Sequence, residues 1–136
     1  MGLSQSVAIM ILDKLDALRV DFAECSAIAL ADISSGTVLC VSTGKKQRQE
    51  HLDTLCQTAA EIFTGQTASS VSKMTNEAGE SALQESVVLA KSETYVFLRS
   101  PIDPKEAMLC VCSAKLNIDK FLQQARSSMH NIATEQ

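Results

Sequence analysis

From Ser4 to Phe22 the apolar residues Ala8, Ile11, Leu12, Leu15, Leu18 and Phe22 recur at three- and four-residue steps, with Asp13, Lys14, Asp16 and Arg19 between them. That spacing predicts an amphipathic helix over 4–22 with one core-facing side, its free N–H groups capped by Ser4 or Ser6. The period then falls to two. Cys25–Ala31 and Thr37–Ser42 are apolar runs on either side of Asp32-Ile33-Ser34-Ser35-Gly36, which reads as a β-hairpin. Alternation along the first run places Ala27, Ala29 and Ala31 on one face and Ile28 and Leu30 on the other, so a helix can lie close to the small-residue side.

A helical stripe resumes near Arg48 through Leu52, Leu55, Cys56, Ala59, Ile62 and Phe63, and Ala68, Val71 and Met74 keep the spacing beyond Gly65. One long helix is therefore expected as far as Asn76, with a possible bend at Gly65, and Gly79 ends the stretch. Its neighbouring flank, Ala60, Thr64, Thr67, Ala68 and Val71, is made of small side chains. A helix apolar on one flank and small on the next can pack on a sheet and on a second helix together. Three strand-length segments follow, Leu83–Lys91, Thr94–Arg99 and Ala107–Ser113. The short link Ser92-Glu93 forces antiparallel pairing, and the two prolines between 101 and 106 make a longer turn. Ile118, Phe121, Leu122, Ala125, Met129 and Ile132 form the stripe of a last helix, capped by Asn117. The order is α-β-β-α-β-β-β-α: an α/β (α+β) chain, a single domain over 1–136, with five antiparallel strands between helices.

Composition narrows the function. With 136 residues, 46% of them apolar and no Trp, the chain can close one core of aliphatic, Ala, Met and Cys side chains. A formal charge of −4 works against nucleic acid, which demands a clustered basic surface. Lys45-Lys46-Gln47-Arg48 is read as a solvated loop rather than an anion-binding patch. No apolar stretch approaches the ~20 residues that cross a bilayer, and the start lacks the pattern of a signal peptide, so the expectation is a cytoplasmic protein without membrane insertion. Met1-Gly2 with Ser6 is a weak match to an N-myristoylation signal.

Five cysteines, Cys25, Cys40, Cys56, Cys110 and Cys112, lie inside apolar segments, as reduced core thiols do. Cys110 and Cys112 would share a strand face, but His51 and His130 lack the spacing that would complete a metal site. No phosphate loop, nucleophile elbow or paired-histidine motif is present, so no catalytic residue, cofactor or metal ligand is assigned. His51 beside Glu50 and Asp53 reads as a solvated helix terminus, and Asp32 as a turn residue bonding its own amides.

In their order these segments resemble the Roadblock, or dynein light chain Roadblock-type, family over about 25–132. The likeness is carried by the hairpin Ala27–Asp32 to Gly36–Leu39, the helix opening His51-Leu52-Asp53-Thr54-Leu55-Cys56, the strand Tyr95–Arg99 and the strand Met108–Cys112 before a closing helix. The long second helix resembles prokaryotic members. The resemblance implies a profilin-like sandwich that pairs with itself, as a homodimer or higher assembly, by packing the long helix on its counterpart and joining the third strands across a two-fold axis. Leu52, Leu55, Cys56, Ala59, Ala60, Phe63, Thr67, Val71, Val87, Val88 and Leu89 are the expected interface. It further implies a non-catalytic adaptor, scaffold or regulator of a small Ras-like GTPase, which Arg99 and the Lys45–Arg48 loop could touch. Two other classes compete: a small-ligand-sensing domain of profilin/PAS-like architecture, and an enzyme using Cys110 and Cys112.

Overall fold

The computed structural model describes residues 4–44, 47–75 and 83–135. Helix α1 (Gln5–Asp21) starts at Ser4, whose hydroxyl accepts the Val7 N–H at 3.2 Å. Strands β1 (Cys25–Asp32) and β2 (Thr37–Thr43) form the expected hairpin. Its turn is shaped by Asp32, whose carboxylate accepts the Ser34 and Ser35 N–H groups at 2.9 and 3.2 Å, and by Gly36, which at φ 72° takes a left-handed conformation that disfavours a Cβ.

After the hairpin come α2 (Gln49–Thr64), α3 (Gln66–Thr75), β3 (Glu85–Leu89), β4 (Glu93–Arg99), β5 (Glu106–Ser113) and α4 (Ile118–Glu135). The element order matches the sequence reading except that the single long helix is two helices broken at Gly65. The physical reason is local: a Cβ at Gly65 would lie 2.6 Å from the Glu61 carbonyl oxygen, so only glycine accommodates this backbone. The link between β3 and β4 also falls one residue earlier than expected, at Lys91-Ser92, since Leu89 pairs with Thr94 and the Ala90 N–H donates to the Glu93 carbonyl. The expected helix end at Gly79, the Met1-Gly2 signal and Lys45-Lys46 lie outside the described residues.

The five strands form one antiparallel sheet in the order β2-β1-β5-β4-β3. Two cores flank it. On one face α1 and α4 cover Ile28, Leu30, Val96, Leu98, Met108 and Cys110 with Ile11, Leu15, Phe121, Met129 and Ile132, and the Phe22 and Phe121 rings meet edge-on at 5.1 Å. On the other, α2 lays Leu52, Leu55, Cys56, Ala59 and Phe63 on Ala27, Ala29, Ala31, Phe97, Ala107, Leu109 and Val111. The alanine face of β1 is what draws α2 over that side of the sheet.

Candidate interaction surface

A five-stranded sheet is about 24 Å across and a helix about 10 Å, so one helix cannot cover a whole face. The α1/α4 face has two helices and is closed. The opposite face has α2, which packs on β2 and β5, and α3, which buries only Ala68. Among the described residues the β4–β3 half of that face stays open as an apolar groove of ≈ 210 Å³ between His51, Thr54, Leu55 and Thr58 of α2 and Val88, Tyr95 and Phe97 of the strands.

Its walls are apolar for identifiable reasons. The hydroxyls of Thr54 and Thr58 donate to the carbonyls of Glu50 and Thr54 on their own helix at 2.9 and 2.8 Å. The Tyr95 hydroxyl donates to Glu93 at 2.6 Å, which pushes the phenol above its ordinary range and leaves the ring to line the groove.

Strand β3 bounds the groove and is an edge of the sheet. Its backbone polarity follows from two bonds, Arg99 N–H to the Gln84 carbonyl and Ala90 N–H to the Glu93 carbonyl, both 2.9 Å. Narrow pairs alternate along an antiparallel ladder, so Ser86 and Val88 bond inward to β4, whereas the N–H and C=O of Glu85, Val87 and Leu89 face the open edge. At this edge Val88 is 39% exposed and Leu89 71%. An open apolar half-face beside an unpaired strand of this kind is a template for another chain.

The structure divides the expected interface residues into three groups. Leu52, Leu55, Cys56, Ala59 and Phe63 point into the chain's own core and are covered there, because α2 turns its large apolar flank to the sheet. Ala60 packs, half-buried, against the edge of that same core, and on α3 Val71 is half-buried and Thr67 exposed. Val88 faces the α2 side, while Val87 packs towards the α1/α4 core and its strand neighbour Leu89 lies on that same side. His51, Thr54, Thr58, Tyr95 and Phe97 were not assigned to a site from sequence, although Tyr95 and Phe97, two apart on a strand, mark a common aromatic face.

Arg99 is corrected as a GTPase contact. It is 5% exposed, donates to the Phe63 carbonyl and holds its guanidinium 5.0 Å over the Phe63 ring. Cys25, Cys56, Cys110 and Cys112 are buried and Cys40 is half-buried, all as free thiols. A hydrogen bond from Cys112 lowers Cys25 against the effect of burial, while Cys112 is raised by the same bond and Cys110 by burial. Among the described residues no group of three or more His, Cys, Asp and Glu side chains could hold a metal ion, and no helix is long and apolar enough to cross a membrane.

Strand order, flanking helices and an exposed β3 edge together give this chain the fold of Roadblock/LC7 domains. Among solved structures it is similar to MglB with tetrameric arrangement (TM-score 0.81, 16% identity, covering 98% of this chain and 93% of that one). It is similar to the gliding protein MglB from Thermus thermophilus (TM-score 0.80, 17% identity, 100% and 97% covered). A Roadblock/LC7 domain from Streptomyces avermitilis superposes with TM-score 0.75 at 9% identity over 91% of this chain and 95% of that one. No family model matches the sequence, and no curated protein matches it. At these identities the likeness is one of fold.

Proposed function

We propose that the chain is a non-catalytic subunit that pairs with a second copy along β3 and the open half of the α2 face, and that the pair docks and regulates a small Ras-like GTPase. The observation that carries this reading is the juxtaposition of the outward-facing Val87 and Leu89 backbone, the exposed Val88 and Leu89 side chains and the apolar groove beneath α2. A second copy related by a two-fold axis offers the same strand and helix in return, so one patch satisfies both partners. The tetrameric arrangement of an MglB structure with the same fold supports self-assembly, and the Roadblock resemblance supports the GTPase as partner.

Sedimentation across a dilution series tests the first half. A concentration-dependent dimer is expected, and a single subunit at every concentration refutes it. For the second half, immobilised protein should retain a Ras-like GTPase from native lysate in one nucleotide state more than in the other. Equal retention in both states, or none, counts against regulation. The apolar groove itself, at ≈ 210 Å³, falls below the roughly 300–1,000 Å³ of ordinary ligand pockets, which favours a protein surface there.

A further inference from the structure

Strict alternation along β1 would put Cys25 on the α2 side of the sheet with Ala27, Ala29 and Ala31. The structure puts it on the other side, in the α1/α4 core with Cys110 and Cys112. A β-bulge is the cause. Ala27 pairs with Val111 and Cys25 with Cys112, so Ser26 is the extra residue, and its hydroxyl donates to the Val111 carbonyl at 3.2 Å. The bulge therefore turns Cys25 onto the face of the residue opposite it, which is also a cysteine.

The backbone bonds around the pair fix its geometry. The Ser113 N–H donates to the Glu24 carbonyl at 2.8 Å, just outside the pair, and the Cys25 N–H donates to the Phe22 carbonyl at 2.9 Å rather than to Cys112. Cys25 and Cys112 thus face each other as a non-hydrogen-bonded antiparallel pair. Such positions hold their Cα atoms about 4.5 Å apart with the side chains close, inside the roughly 4.4–6.8 Å that a disulfide spans. Cys110 is opposite Ile28 instead.

We propose that Cys25 and Cys112 are a thiol–disulfide site within one subunit, closed across β1 and β5 by a small hydroperoxide. Cys25 is the attacking thiol: the hydrogen bond from Cys112 lowers it, whereas Cys112 is raised by the same bond. Cys25 is also the more open, 4% exposed against 1%, and follows the exposed Ala23 and Glu24. A water-sized oxidant suits this approach better than a bulky one. The Cys25 thiolate attacks one oxygen of hydrogen peroxide, leaving a sulfenic acid and, after protonation, water. The Cys112 sulfur then attacks the sulfenic sulfur, and its proton departs with the hydroxyl as a second water. Two thiols lose two electrons to the new S–S bond, and the peroxide takes them up.

The full chain is treated with hydrogen peroxide while folded, then denatured for thiol counting and for fragmentation mass spectrometry without reductant. Two of its five thiols should disappear, a Cys25–Cys112 link should account for them, and dithiothreitol should restore both. Because the link closes a loop of roughly ninety residues, the oxidised protein should melt about 5–15 °C higher. Cys110→Ala should keep the link and Cys112→Ala should lose it. Retention of all five thiols, a link through another cysteine, or over-oxidised cysteines with no link overturns the proposal, and the parent protein alone suffices to show each. A linked protein that melts no higher than the reduced one overturns the fit of the bond to the native register.

Discussion

Because alternate residues of β3 aim their backbone at β4 and at the open edge, proline can separate folding from association. Val87→Pro removes an N–H that β4 does not use, whereas Ser86→Pro removes one that bonds inward towards Phe97. The ring should leave the Val87→Pro subunit folded, at about 1 kcal/mol from lost side-chain packing. Each hydrogen bond contributes a net ~0.5–1.5 kcal/mol, and a two-fold axis removes the bond twice, so pairing should weaken by about 1–3 kcal/mol, roughly 5- to 150-fold in the dissociation constant. Sedimentation velocity gives the constant and circular dichroism the fold. Ser86→Pro should melt earlier than Val87→Pro. An unchanged dissociation constant in a folded Val87→Pro protein would refute strand pairing at this edge, and equal stability of the two variants would refute the assignment of inward and outward groups.

Other outcomes follow from the same geometry. Thr54→Arg puts a charged side chain on the exposed, groove-facing flank of α2 and should abolish self-association while the subunit keeps its melting temperature. Phe63→Ala empties a fully buried site and removes the ring under Arg99, so urea titration should show a loss of about 3–5 kcal/mol. The Asp32 carboxyl is held below its ordinary value of 3.8, chiefly by the Ser34 hydroxyl, so its contribution is present above that value and is lost as pH falls through the lower folded value. Asp32→Asn should therefore melt below the parent at pH 7, with the gap closing in melts carried down to about pH 2.5. With Cys40 half-buried and the other four cysteines buried, a thiol reagent should find at most one quickly reacting group in the native protein and five after denaturation.

Periodicity alone determined the two helices that close one face, the alternation of Ala27, Ala29 and Ala31 against Ile28 and Leu30, and the turn at Asp32–Gly36, because each is a local pattern repeated at the spacing of its own element. It also showed that the flank of α2 carrying Ala60 is small. What it could not show is which flank the sheet takes. Leu52, Leu55, Cys56, Ala59 and Phe63 looked as suitable for a partner as for the core, and only the position of α2 over the alanines of β1 buries them within the chain. The same position leaves Val88, Tyr95 and Phe97 to line an open groove, which is a consequence of where one helix lies across five strands. Arg99 shows the limit most plainly. A lone arginine at a strand end reads as a surface charge, and its place over Phe63, 36 positions away in sequence, arises only when β4 passes beneath the end of α2. Side-chain alternation is written along the chain, whereas the contest between two surfaces for one helix is settled by packing between segments far apart in it.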